Sequence, residues 1–252
     1  MWMGLVVFAL APLASPPQPP ALLRVPILMY HGIGDPAPGA AGLHVDLVCP
    51  RSAFRAHLRF LRDGGYTSVT FRELQAALQG TAKLPGKPVV LTFDDGLESQ
   101  WGAFRDLQEA GMKGVFFGIS EKLDEPGRLR REQVRAMAIG GMDIGSHSAS
   151  HADLRALGPA EREREIAGSK HELEALLGRP VLAFAYPGGC YDLECLPILA
   201  AAGYVFARTT APGIAAVSLP AFELETVPVW RDTDSRRLEG KLARLEKLPA
   251  AP

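Results

Sequence analysis

Two aspartates stand side by side in Asp94-Asp95-Gly96, and two histidines stand four residues apart in Ser146-His147-Ser148-Ala149-Ser150-His151. Histidines at that spacing can meet one ion from a single helical turn or a compact loop. An aspartate from elsewhere in the chain would complete an Asp-His-His ligand set. Three protein ligands leave a position for water, as hydrolytic metal sites require, and a further carboxylate beside them can serve as a base. His31 is a candidate acid, because an imidazole with an unperturbed pKa of about 6.5 suits proton delivery at neutral pH. In Tyr186-Pro187-Gly188-Gly189 the glycines would let a substrate approach the backbone and free N–H groups to face an oxyanion. Each group also has an ordinary explanation: Asp-Asp-Gly is a turn and helix-cap signature, Pro-Gly-Gly is a turn, and lone histidines commonly cap or pack.

Placement separates these explanations. Short apolar runs predict strands over 25–30, 67–69, 88–93, 114–119, 142–145, 181–186, 204–209 and 224–230. Between them the spacing predicts helices. One covers 52–61, with Phe54, Leu58 and Leu61 on one face. Another opens at the capping box Thr70-Phe71-Arg72-Glu73. A third aligns Leu97, Trp101, Phe104 and Leu107 and stops at Gly111. Two more cover 131–139 and 159–177; the latter turns Ile166, Leu173, Leu176 and Leu177 inward, and its charged face over 161–174 reads as solvated surface. Strands alternating with helices imply a mostly parallel sheet. The number of units predicts a single α/β domain built as a distorted barrel of about seven parallel strands, with an open doubly wound sheet as the alternative. His31, Asp94-Asp95, His147 with His151, and Tyr186 all follow C-terminal strand ends. In a parallel barrel those ends share one face, the face that carries the active site.

The chain has 252 residues, of which 47% are hydrophobic, enough for one well-buried core. Lys plus Arg number 27 against 28 Asp plus Glu, with no basic stripe, so no nucleic-acid partner is expected. Near-neutral charge suits an uncharged substrate such as a glycan. The apolar N-terminal run ends in small residues (Ala11, Ala14, Ser15) and is too short to span a bilayer comfortably, as in a signal peptide, although no Lys or Arg precedes it. With the stiff Pro16-Pro17-Gln18-Pro19-Pro20 spacer it makes residues 1–20 a leader and 21–252 the folded domain. Export to the periplasm, cell envelope or medium is expected, with the leader either cleaved or kept as a membrane tether. Cys49, Cys190 and Cys195 are too few for a disulfide framework; Cys190 and Cys195 share a loop and either pair or remain thiols.

Thr92-Phe93-Asp94-Asp95-Gly96 together with Ser146-His147-Ser148-Ala149-Ser150-His151 resembles the polysaccharide deacetylase family (NodB homology domain, carbohydrate esterase family 4). The opening Val25-Pro26-Ile27-Leu28-Met29-Tyr30-His31 and the later Phe184-Ala185-Tyr186-Pro187-Gly188-Gly189 look like the branch acting on poly-β-1,6-N-acetylglucosamine. The resemblance runs from about Val25 to about Trp230. It implies a (β/α) barrel with fewer than eight repeats and hydrolysis of N-acetyl groups from an N-acetylglucosamine polymer. It implies a divalent metal, most often Zn²⁺ with Co²⁺ or Ni²⁺ as alternatives, on Asp95, His147 and His151. Asp94 would be the base, and the Tyr186 backbone N–H would help hold the oxyanion. Many members draw their acid from a C-terminal Leu-x-His motif, but no histidine follows His171 here; the similar branch uses Tyr30-His31 instead. Many also orient the base with an Arg ahead of the Pro-Tyr motif, where this chain has Ala183, Phe184 and Ala185. Arg208 is a candidate substitute.

Pro187, Gly188, Arg208 and Trp230 are the expected substrate contacts, Trp230 by stacking on a sugar ring. Asp232 and Asp234 read as solvated turn residues, and the tail from Ser235 as a charged amphipathic helix. A monomer is expected. An O-acetyl esterase for xylan-like glycans would use the same metal and base, and a non-catalytic glycan-binding barrel would have lost a ligand. All three candidate ligands are present, which favours an enzyme.

Overall fold

The segment Pro88–Phe93 is apolar but for Thr92, whose hydroxyl donates to the Leu28 carbonyl, because both of its faces are covered. In the computed structural model, which describes residues 23–35 and 43–246, it is one of seven parallel strands that close a ring, and Thr67–Ser68 pairs beside its start as a short eighth strand. The seven are β1 (Ile27–Tyr30), β2 (Pro88–Phe93), β3 (Val115–Gly118), β4 (Asp143–Ser146), β5 (Ala183–Ala185), β6 (Phe206–Pro212) and β7 (Ala221–Pro228). They pair in chain order, and β1 closes the ring by pairing with both β2 and β7. That closure rules out the open doubly wound alternative. The ring is uneven: β6 and β7 shift register twice, and β4 meets β5 through the single pair Ser146↔Phe184. The leader and spacer expected over 1–20 lie outside the described residues.

Helices α1 (Arg51–Asp63), α2 (Phe71–Leu78), α3 (Gln100–Ala110), α4 (Arg131–Ile139), α5 (Ser169–Leu177) and α6 (Cys195–Ala202) lie between the strands, and α7 (Ser235–Glu246) follows β7. The Thr70–Glu73 capping box forms as predicted, and Gly111 ends α3 in the left-handed region. No element is expected between 186 and 204, yet α6 forms there. Its run Cys-Leu-Pro-Ile-Leu-Ala-Ala-Ala is apolar on every side and shows no period, and Pro197 sits in the first turn, where its missing N–H costs nothing. The thiols of Cys190 and Cys195 are both free.

Alternation along the strands creates two apolar layers. Val89, Leu91 and Phe93 of β2 face the helices, with Phe54, Leu58, Phe104 and Leu107. Val90 faces inward with Ile27, Val115, Phe117, Ala183, Ala185, Phe206 and Leu224. A Cβ on Gly145 would come within 2.4 Å of the Phe117 ring, so this inward position of β4 must be glycine for Phe117 to fill the barrel.

His57 of α1 is fully buried between the barrel and the tail. Its Nδ1 accepts from the Tyr30 hydroxyl at 3.2 Å and its Nε2 donates to the Thr233 carbonyl at 2.9 Å, which suits one neutral tautomer. Burial lowers its pKa to about 4. The unfolded chain binds this proton from about pH 6.5 and the folded chain only near 4, so this stabilisation is full above the first value and is lost as pH falls toward the second. Between pH 7 and pH 4.5 wild type should lose roughly 2 kcal/mol from this residue. Urea unfolding at the two pH values should show a smaller loss in His57→Gln; an equal loss would remove His57 from the account.

Candidate active site

The chain leaves β2 into two consecutive carboxylates that find different partners. Asp94 is buried and takes the inward direction, where the guanidinium of Arg208 from β6 pairs with its Oδ1. Arg208 is fully buried. It lies over the Phe117 ring, 4.8 Å from the centroid, and donates to Met29 Sδ at 3.3 Å. Burial lowers its pKa to about 9, which still leaves it charged at neutral pH. This corrects the expectation that Arg208 touches substrate: it has no exposed surface and acts on Asp94 from inside the barrel.

Asp95 follows with a positive φ of 75°. Its carboxylate turns to the two histidines, with Oδ1 at 3.5 Å from Nε2 of both His147 and His151. One donor atom from each of the three residues lies within 4.8 Å of the others. His147 donates Nδ1–H to the Ala185 carbonyl at 2.8 Å, so its Nε2 lone pair faces the triad. The neighbouring imidazoles hold the Asp95 carboxyl well below the usual carboxylate range despite its burial. An ionised carboxylate and two Nε2 atoms converging in this way form a donor set that fits a divalent cation with an open position. Of the four non-glycine residues at positive φ among the described residues, Asp95 and His151 belong to the triad and Ser148 lies between the histidines. Such backbone is costly and persists where surrounding contacts impose it.

Those contacts can be named. Ser148 Oγ accepts from the His151 N–H at 2.9 Å, and Glu165 accepts from the Ser150 N–H at 2.8 Å and its hydroxyl at 2.7 Å. Glu165 lies in a π-helical turn, Arg164–Gly168, that runs unbroken into α5. It is buried, which corrects the reading of the 161–174 face as solvated surface. Gln100, the first residue of α3, donates to the backbone carbonyls of both His31 and Asp94 and so ties two strand ends together. Spacing gave no sign of either role, because both depend on which loop the helix faces.

His31 follows β1, with Nε2 at 3.8 Å from the Asp94 carboxylate. Burial lowers its pKa to about 4, so it rests neutral at pH 7. His31, Asp95 and His151 open on a cleft of about 450 Å³ walled by Leu47, Val48, Leu97 and Ile119, with Lys122 and Arg128 at its side. Sequence reasoning found none of these walls. Leu97, expected inside α3, precedes it and lines the cleft.

The Tyr186 expectation is corrected. Its N–H donates to the Arg208 carbonyl at 3.2 Å and its hydroxyl to the Phe222 carbonyl at 2.9 Å, so both donors are spent inside the fold. Pro187 is buried and Gly188 exposed, and neither lines the cleft. Trp230, 36% exposed, borders a neighbouring depression with Asp46, Arg231 and Asp232. Asp234 caps the start of α7 by accepting from the Arg237 N–H at 2.8 Å.

The Arg208–Asp94 pair yields a stability test. Arg208→Met should cost about 3–5 kcal/mol, because it leaves Asp94 buried and unpaired. Adding Asp94→Asn should restore much of that loss. A double variant as unstable as the sum of the singles, by urea unfolding, would deny the coupling.

Comparison with known proteins agrees with this geometry. A family model described as polysaccharide deacetylase matches residues 81–207, a span holding Asp94, Asp95, His147 and His151. The Bacillus subtilis (strain 168) protein YxkH, named for the same family, is 33% identical over 207 residues, covering 82% of this chain and 71% of that one. A shorter stretch of 76 residues, 30% of this chain, is 37% identical to 11% of the poly-β-1,6-N-acetyl-D-glucosamine N-deacetylase of Escherichia coli (strain K12). Among solved structures, the Streptococcus pyogenes deacetylase PplD, in complex with acetate, superposes with a TM-score of 0.79 at 27% identity over 87% of this chain and 98% of that one. The seven-stranded barrel, the Asp-His-His cluster at its C-terminal rim and these matches together place the chain in the polysaccharide deacetylase family.

Proposed function

We propose that this chain removes N-acetyl groups from an N-acetylglucosamine-containing polysaccharide, releasing acetate and leaving a free amine. One observation carries this reading: a three-residue ligand cluster lies beside a carboxylate that a buried arginine holds apart from it. Asp95, His147 and His151 would hold a divalent cation, Zn²⁺ before Co²⁺ or Ni²⁺, which when bound supplies Lewis acidity toward an amide carbonyl and acidifies water. Asp94 is then the base. Its carboxylate is ion-paired and buried, so it keeps one orientation, with an oxygen near His31, and takes the proton of the attacking water.

His31 protonates the departing nitrogen. Because burial keeps it neutral at rest, it holds no proton in reserve at pH 7. The proton it delivers is the one Asp94 has just taken; the 3.8 Å between them must shorten to hydrogen-bond length for the transfer. The cleft walls Leu47, Val48, Leu97 and Ile119 are apolar and suit the acetyl methyl and a sugar face.

The matched stretch of the Escherichia coli N-deacetylase favours a β-1,6-linked polymer, and the apolar run ending in Ala11, Ala14 and Ser15 favours an exported chain acting at the cell envelope. Acetate release from β-1,6- and β-1,4-linked N-acetylglucosamine oligomers is the test. Release should vanish on chelation and return with Zn²⁺, Co²⁺ or Ni²⁺. His31→Ala should lower kcat by roughly a hundredfold or more while leaving cation binding intact. Full activity after chelation, or in His31→Ala, would overturn the corresponding assignment.

A further inference from the structure

The cleft carries more positive charge than hydrolysis requires. Lys122 and Arg128 both line it beside Asp95 and His151. Arg128 has a structural task, donating from Nη1 to the Asp95 carbonyl at 2.6 Å. Lys122 has no such task. The carboxylates nearest it in sequence serve other cations, Glu121 pairing with Arg164 and Asp124 with Arg131. Among the described residues Lys122 forms no ion pair, and the segment 36–42, outside them, reads Pro-Ala-Pro-Gly-Ala-Ala-Gly and could supply none. Lys122 is partly buried and shares the cleft lining with His151. Asp94, the other carboxylate at this rim, is already matched by Arg208. Any divalent cation on the triad would add to the same sign.

The product of the proposed reaction is itself a cation. An amino group on an oxygen-rich carbon skeleton titrates near neutrality, much like an α-amino group at about 8. Once one sugar has lost its acetyl group, its amine is repelled from a cleft lined by Lys122 and Arg128. Resting on the deacetylase reading, we infer that this cleft rejects glycan in which the sugar beside the bound N-acetyl group already bears a free amine, and that Lys122 sets this discrimination. Acetyl groups are then removed at intervals along the polymer, and the product amine leaves readily.

The experiment compares a fully acetylated β-1,6-linked N-acetylglucosamine tetramer with a tetramer carrying one glucosamine next to the reacting sugar. At about pH 6, where the amine is charged, wild type should prefer the fully acetylated tetramer by about fivefold in kcat/KM. That is about 1 kcal/mol at 1.4 kcal/mol per tenfold. The preference should shrink in high salt and disappear at about pH 9, where the amine is neutral. Lys122→Gln should reduce it and Lys122→Glu should reverse it, each read as the ratio of kcat/KM for the two tetramers within the same variant. Equal rates on both tetramers in wild type, or the same preference in wild type and Lys122→Glu, would overturn the inference. Absence of acetate from the fully acetylated tetramer would instead sink the deacetylase reading. In that event calorimetric affinities of the two tetramers still decide whether Lys122 repels an amine: the charged tetramer must bind Lys122→Glu more tightly than wild type, or the inference fails.

Discussion

A guanidinium inside an apolar barrel is the constraint around which this site is arranged. Arg208 points inward among Phe117, Met29 and the small residues of β5, where it has no access to solvent. A charge so placed is tolerable only with a partner, and Asp94 at the end of β2 provides one. That pairing fixes the Asp94 carboxylate, the proposed base, before any substrate arrives. It also disposes of the first of two adjacent carboxylates, so that the next residue can serve a different purpose. The positive φ of Asp95 turns the chain at once and delivers the second carboxylate to His147 and His151. Two identical side chains in succession thereby acquire separate roles, one set by an arginine and the other by imidazoles.

The rim is held from outside as firmly as from within. The Ala185 carbonyl at the end of β5 fixes the tautomer of His147, and Glu165 clamps the loop between the histidines through a π-turn that shifts the helix register by one residue. Gln100 binds the carbonyls that precede the cleft from β1 and β2. Such contacts keep reacting groups within a narrow range of positions, which is where much of a hydrolase's rate enhancement originates. The interior depends on an equally specific feature: Phe117, on which Arg208 rests, fits only because β4 has no side chain at Gly145.

The strands and the candidate ligands were legible in the sequence for a shared reason. β2 matches its predicted limits because an apolar run covered on both faces has one plausible interpretation. The Asp94-Asp95 pair could be grouped with His147 and His151 because strand ends of a parallel barrel share a face, and that inference needs only element order; the choice of Asp95 as the ligand came from the family resemblance. Arg208 was legible, through the family resemblance, as a substitute arginine for orienting Asp94, but its lack of any exposed surface was not, since direction across a barrel follows from register. Tyr186 shows the opposite failure: a motif suggested a free N–H, and the ladder to β6 consumes it. Glu165 could not be told from its solvated neighbours, because spacing along a charged helix does not reveal which loop packs against it. The cleft walls come from three separate segments and leave no mark in any one of them.

The central claim is that Asp94 and Asp95, though adjacent, do different things. Titration with Co²⁺, followed by its visible absorption and by calorimetry, tests this directly on Asp94→Asn and Asp95→Asn. Wild type and Asp94→Asn should each bind about one equivalent with similar spectra, while Asp95→Asn should bind far more weakly. Asp94→Asn, loaded with the cation, should release no acetate. Loss of Co²⁺ binding in Asp94→Asn to the same degree as in Asp95→Asn would contradict the division of roles, and the Arg208 pair would then be a structural feature without a catalytic meaning.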